Sequence, residues 1–250
     1  MTSPGPIAFS ILGLDIRWYG ILIATGMIIA VLLSYFRAPR FEIEKDDVYN
    51  AALIMIPVGV IGARIYYVLF NWKYYAGDFM QMINIRGGGL AIHGGLIFAA
   101  LAVYIYCRIK KIDFLNLFDL YFPTVALAQA IGRWGNFFNG EAHGSETDLP
   151  WAIIVDGKHV HPTFLYESIW CVLIFILLSA LSKRRKFVGQ ITALYMILYS
   201  IERFFVEGLR TDSLMIGELR QAQVISVCAF VVGILIYLYL SKKTKSVDKV

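Results

Sequence analysis

Seven stretches of this chain are long and apolar enough to cross a bilayer, and that feature limits it to an all-α polytopic membrane protein. A helix needs roughly 20 mostly apolar residues to cross a hydrocarbon core of about 30 Å. Within that core every backbone polar group must find its partner inside the protein. The stretches fall at about 18–36, 48–70, 88–107, 114–133, 164–182, 189–207 and 221–240. The fourth is the most polar, with Asn116, Asp119, Pro123 and Gln129, groups that normally face a bundle interior. Only 16% of the residues are charged, against about 25% in soluble domains, so the chain cannot cover itself with a charged shell in water. Met1 to Ile16 lacks the basic and long apolar regions of a cleavable signal peptide, so the first span is expected to be retained. With no internal repeat, the expectation is one transmembrane domain over residues 1–250, with an extracytoplasmic insertion at about 134–163.

Loop charge sets the expected orientation. With the N-terminus outside, the inner segments hold Arg37, Arg40, Lys45, Arg108, Lys110, Lys111, Lys183, Arg184, Arg185, Lys186, Lys242, Lys243, Lys245 and Lys249. The outer segments hold Arg17, Lys73, Arg86, Lys158, Arg210 and Arg220. Fourteen against six favours N-out and C-in, which suits an odd number of spans. The net charge of +5 is spread over these short loops and gives no reason to expect a nucleic-acid partner. In the 134–163 loop, Trp151 to Val155 and Lys158 to His161 flank Asp156-Gly157, a favoured tight-turn pair, which predicts a small hairpin. Cys107, Cys171 and Cys228 lie in or beside apolar segments without a CxxC pattern and read as core residues.

On this topology five segments bring polar groups to the outer face. They are the entries to the first, third and fifth spans, carrying Tyr19, His93 and the run His161 to Glu167, and the exits of the fourth and sixth. After Arg133 comes a turn rich in Asn, Gly and Glu, with Asn136, Asn139, Glu141 and Gly144. Tyr199, Arg203 and Glu207 follow at i, i+4 and i+8, with Arg210 three further on, so all four share one helical face. Glu202, next to Arg203, is expected to point elsewhere. Glu207 can orient both Arg203 and Arg210, and a pair of arginines suits a phosphate because the guanidinium is planar, charged and bidentate. Arg133 with Arg203 therefore suggests an anionic headgroup site, with His93 a natural general base. Plainer roles remain open: interface aromatics for Trp18 and Tyr19, snorkelling for the two arginines, and close helix packing for the glycines around His93. His143, His159 and His161 form no recognisable metal motif, and neither metal nor organic cofactor is expected.

Four of these blocks together resemble the bacterial prolipoprotein diacylglyceryl transferases. GRWGNFFNGEAHG is similar to that family's signature, Gly-Arg-x-Gly-Asn-Phe-x-Asn followed by an acidic residue and a glycine. HGG at His93, HPTFLYES at 161–168 and RFFVEGLR at 203–210 match further family blocks in the same order, from Tyr19 to about Arg210. Trp134 and His143 depart from the pattern at points where it varies. The resemblance implies a transferase that moves the diacylglyceryl group of phosphatidylglycerol onto the lipobox cysteine of a preprolipoprotein signal peptide, in the bacterial cytoplasmic membrane at its outer face. It implies catalytic roles for His93, Arg133, Arg203 and Glu207. It also implies substrate-binding roles for Tyr19, Arg133, Asn136, Asn139, Glu141, Gly144, Tyr199, Arg203 and Arg210. A seven-span transporter and a lipid-binding protein without turnover are the competing expectations; the transporter would need polar groups running through to the inner side.

Overall fold

A computed structural model describes residues 2–85 and 88–247, with side chains described as far as 244. Met1, Arg86 and Lys249, used in the sequence argument, lie outside the described residues. The described chain is predominantly helical. A hairpin of β1 (Ile7–Ile11) and β2 (Leu14–Arg17) leads without a linker into α1 (Trp18–Arg37). Then follow α2 (Lys45–Phe70), the short α3 (Trp72–Tyr75) and α4 (Phe79–Ile83), α5 (Ile92–Lys110) and α6 (Phe114–Asn139). A second hairpin, β3 (Ile153–Val155) and β4 (Lys158–Val160), precedes α7 (Thr163–Leu181) and α8 (Gln190–Leu209). A third, β5 (Met215–Ile216) and β6 (Leu219–Arg220), runs directly into α9 (Gln221–Val247).

Each expected span coincides with a long helix, and six of these helices are long and apolar enough to cross a membrane. The protein is a multi-pass membrane protein. The seventh, α8, has the length but carries Glu202, Arg203 and Glu207, which lower its hydropathy. Two boundaries differ from expectation. Helix α5 starts at Ile92 rather than near 88, because Gly88 and Gly89 both take positive φ (83° and 74°). Helix α6 runs to Asn139 rather than 133, since nothing breaks it before Gly140. Asn136 and Asn139 therefore ride on its last turns instead of lying in a loop. The predicted hairpin is present, with Asp156 and Gly157 both at positive φ, as a tight two-residue turn requires.

The chain folds as two compact units, Met1–Ser34 with Phe118–Val250, and Tyr35–Leu117. In the first unit, polar groups of the helices satisfy one another away from water. Ser34 and Thr124 share a hydrogen bond of 2.7 Å, and the Tyr195 hydroxyl donates to Gln129 at 2.7 Å. Asp119, fully buried, caps the start of α8. One oxygen accepts from the Thr192 amide and hydroxyl, both at 2.7 Å; the other accepts from the Gly189 amide at 2.8 Å and Arg185 at 3.0 Å. At the opposite ends of these helices, Trp18 at the start of α1 stacks on Phe138 near the end of α6. Gly144 and Arg210 bridge the loop after α6 to the end of α8. That end of the unit also holds the three hairpins.

The second unit is organised by α2 and α5. A Cβ on Gly94 would lie 2.2 Å from Tyr66 Cβ and 2.5 Å from the Gly62 carbonyl, so the helices meet at a distance only glycine permits. Arg64, buried on α2, donates to the carbonyls of Gln81, Met82, Gly88 and Gly89 at 2.6–2.9 Å, tying down the segment that leads into α5.

Candidate active site

In the first unit, α6, α7 and α8 each send a charged side chain to one point. Arg203 Nη1 donates to Glu167 Oε1 at 2.7 Å, and Arg133 Nη2 lies 3.2 Å from the same oxygen. Arg133 Nη2 also donates to the Tyr199 hydroxyl at 3.1 Å. One turn along α8, Arg203 Nη2 reaches Glu207 Oε2 at 2.7 Å, the i,i+4 pair expected from the spacing. Glu167 is fully buried and Glu207 nearly so, whereas the two arginine side chains keep about a fifth of their surface accessible (19% each). Two guanidinium groups thus meet at one carboxylate oxygen and stay partly accessible, an arrangement whose charge and planar N–H donors suit an anion.

A second cluster lies at the end of α6. Asn136 and Asn139, three residues apart and so on one face, donate to Glu141 Oε1 at 3.1 and 3.0 Å. The loop then turns back under α7: Gly144 N donates to the His161 carbonyl, Ser145 N to the Leu209 carbonyl, and Thr163 Oγ1 to the Ala142 carbonyl. Gly144 needs its bare backbone, since a Cβ there would lie 2.6 Å from His161 Cβ. Tyr19, at the start of α1, lies against Gly135.

Arg210 differs from expectation. It forks onto Asp212 through Nε (2.9 Å) and Nη2 (2.8 Å), so Glu207 pairs with Arg203 while Arg210 takes a carboxylate of its own. The hydrogen bond from Arg210 holds the Asp212 carboxyl below the usual aspartate range against the opposing effect of burial. His93 belongs to the second unit. It lies on the first turn of α5, half-buried, with its ring 6.5 Å from that of Tyr66.

Sequence reasoning placed Glu167 at the outer face but gave no role to this carboxylate, which both arginines share. The signal was present, because an ionisable residue inside an apolar span marks a functional site by default. Glu202 was expected to point away from the arginines. It is 4% exposed, and both carboxylate oxygens are buried without a hydrogen-bond partner among the described residues.

The sequence profile of the prolipoprotein diacylglyceryl transferase family matches residues 6–239. The chain belongs to this family. It is 60% identical over 240 residues to the phosphatidylglycerol–prolipoprotein diacylglyceryl transferase of Clostridioides difficile (strain 630), covering 96% of this chain and 97% of the relative. It is 49% identical over 244 residues to the enzyme of the same name from Finegoldia magna, covering 97% and 98%. The corresponding Clostridium novyi enzyme is 46% identical over 254 residues, covering 98% and 99%. The arginine–carboxylate cluster and the Asn136–Asn139–Glu141 cluster both fall within the stretch that the family covers.

Proposed function

We propose that this protein transfers the diacylglyceryl group of phosphatidylglycerol to the thiol of a lipobox cysteine in a preprolipoprotein, forming a thioether and releasing glycerol phosphate. The observation that carries the reading is the pair Arg133 and Arg203 meeting at Glu167 Oε1 in a chain of this family. The phosphodiester carries the only formal charge of the lipid headgroup, and two adjacent guanidiniums are suited to hold it.

The chemistry follows from that placement. The thiol sulfur attacks the glyceryl carbon bonded to the phosphate oxygen; the S–C bond forms, the C–O bond breaks, and the electron pair leaves on the phosphate. Arg133 and Arg203 stabilise the charge gathering on the leaving oxygen. Tyr199 accepts from Arg133, which leaves its own hydroxyl hydrogen for the phosphate. Because Glu167 and Glu207 already balance the arginines, binding is an exchange in which the headgroup competes with Glu167 for the guanidinium groups. A thiol attacks as thiolate, and His93, at the expected outer end of its span, is the proposed acceptor of the proton. Asn136, Asn139, Glu141, Gly144 and Tyr19 line the headgroup pocket in this reading, and Arg210 serves it through Nη1 while Asp212 holds its other nitrogens. The setting is the bacterial cytoplasmic membrane, N-terminus out and C-terminus in, with the site at the extracytoplasmic face.

Phosphorus NMR of the protein in vesicles tests the reaction. On addition of a lipobox peptide, phosphodiester signal should convert to phosphomonoester, and a Cys-to-Ser peptide should give none. Conversion that does not depend on the thiol would indicate a phospholipase that hydrolyses the phosphodiester; no conversion would indicate a lipid-binding protein. Near-normal turnover in His93→Gln would remove the histidine from the proton step.

A further inference from the structure

Two of the three hairpins are fused directly to long apolar helices: Arg17 of β2 is followed by Trp18 of α1, and Arg220 of β6 by Gln221 of α9. Both are apolar on their outer surface. Ile7, Phe9, Ile11, Leu12 and Leu14 are exposed on the first, and Leu214, Met215, Ile216 and Leu219 on the second. The first hairpin turns at Leu12 and Gly13, with φ of 51° and 78°. Such turns favour Asn, Asp or Gly, and a left-handed leucine costs about 1–2 kcal/mol. Here the leucine is 99% exposed and packs on nothing among the described residues. A strained, wholly exposed apolar side chain at a turn has no stabilising role within the protein itself.

Covalent reach defines what can cover these tips. Helix α1, with 20 residues, is about 30 Å long, the thickness of the hydrocarbon core. Its first residue therefore sits at the boundary of the core. The second hairpin has two-residue strands, so its tip lies within about 7 Å of the helix start. That is about the depth of the headgroup layer on one side, roughly 5–8 Å. The four residues of β2 allow the first tip about 13 Å, so its place in this layer rests on its exposed apolar side chains, Leu12 above all, and not on reach alone. The hairpins also carry Asp15, which accepts from Ser10 across the first, and Glu218, exposed at the turn of the second; both charges suit the polar headgroup layer and not the hydrocarbon core. Both hairpins lie at the end of the first unit that holds Arg133, Glu167 and Arg203.

We propose that β1–β2 and β5–β6 are lipid-inserting hairpins that lie in the headgroup–acyl boundary of the adjacent leaflet and fix the depth of the arginine cluster beside the phosphates. Their partner is the phospholipid surface itself.

Depth-dependent fluorescence tests this without reference to turnover, so its outcome is separate from that of the transfer reading. Leu12→Cys and Ile216→Cys are made singly in a Cys228→Ala background, Cys107 and Cys171 being buried. Each is labelled with nitrobenzoxadiazole and reconstituted in phosphatidylglycerol–phosphatidylcholine vesicles. Lys158→Cys, exposed beside the β3–β4 turn, is the aqueous reference, and Val232→Cys on α9 the lipid reference. The two hairpin labels should emit at shorter wavelength than the label at 158, resist iodide, and be quenched by lipid carrying a nitroxide next to its headgroup. If the label at either position matches the one at 158 in emission and iodide quenching, the proposal is overturned.

Discussion

Glu167 and Arg203 are joined by a 2.7 Å hydrogen bond between α7 and α8, and the same Glu167 oxygen lies 3.2 Å from Arg133 on α6. Three helices are thus pinned by one carboxylate atom. Glu167→Gln should keep the fold and lose the shared anchor. A loosened guanidinium geometry should lower kcat by about 10²-fold. KM for phosphatidylglycerol should not rise, because the competing negative charge has gone. Glu167→Ala should in addition lower stability by about 2–3 kcal/mol, since it leaves two partly accessible positive groups short of a partner while Arg203 keeps Glu207. Steady-state kinetics and unfolding in detergent measure the two effects.

Glu202 should behave in the opposite way. Among the described residues its carboxylate is buried without a hydrogen-bond partner, so its removal breaks no described hydrogen bond. Glu202→Met, similar in volume, should leave the thermal midpoint unchanged or raise it, because an uncompensated buried polar group is costly. A large fall in midpoint would show that Glu202 is held by an interaction absent from the described contacts.

Asp119 is the corresponding staple at the other end of the first unit, receiving four hydrogen bonds from residues 185–192. Asp119→Ala removes a buried ion-pair partner and the cap of α8 together. The expected loss is about 3–5 kcal/mol, read as a lowered unfolding midpoint, with KM for lipid little changed in the protein that remains folded.

The Arg210–Asp212 fork gives a pH dependence with a definite sign. Arg210 lowers the Asp212 pKa in the folded state. Its contribution is therefore complete above the ordinary aspartate value of about 3.9 and is lost as pH falls through the lower folded value. Asp212 is half-exposed (49%), so the contribution is limited to about 1 kcal/mol. The midpoint of the wild type should exceed that of Asp212→Asn at neutral pH, and the two should converge in acid.

The spans and the α8 face were legible because hydropathy and a 3.6-residue repeat are local properties. The Asp156-Gly157 hairpin was legible for the same reason. Partner choice was not: Glu207 could reach either arginine by spacing alone, and only the path of the chain after Leu209 gives Arg210 to Asp212. Glu167 lay in the open as an acidic residue in an apolar span, yet its role depends on the meeting of three helices far apart in sequence. The end of α6 was misplaced because the run after Arg133, rich in Asn, Gly and Glu, reads as a turn, while the helix continues with Gly135 packed against Tyr19. The β1–β2 and β5–β6 hairpins were hidden by their apolar composition beside apolar spans.

The central claim is most directly tested by the mass of a lipobox peptide after incubation with the purified protein and phosphatidylglycerol of defined acyl chains. The account predicts a gain equal to one diacylglyceryl group on the cysteine, abolished in the Arg133→Ala, Arg203→Ala double variant. A peptide of unchanged mass with the lipid intact, or undiminished transfer by the double variant, would contradict it.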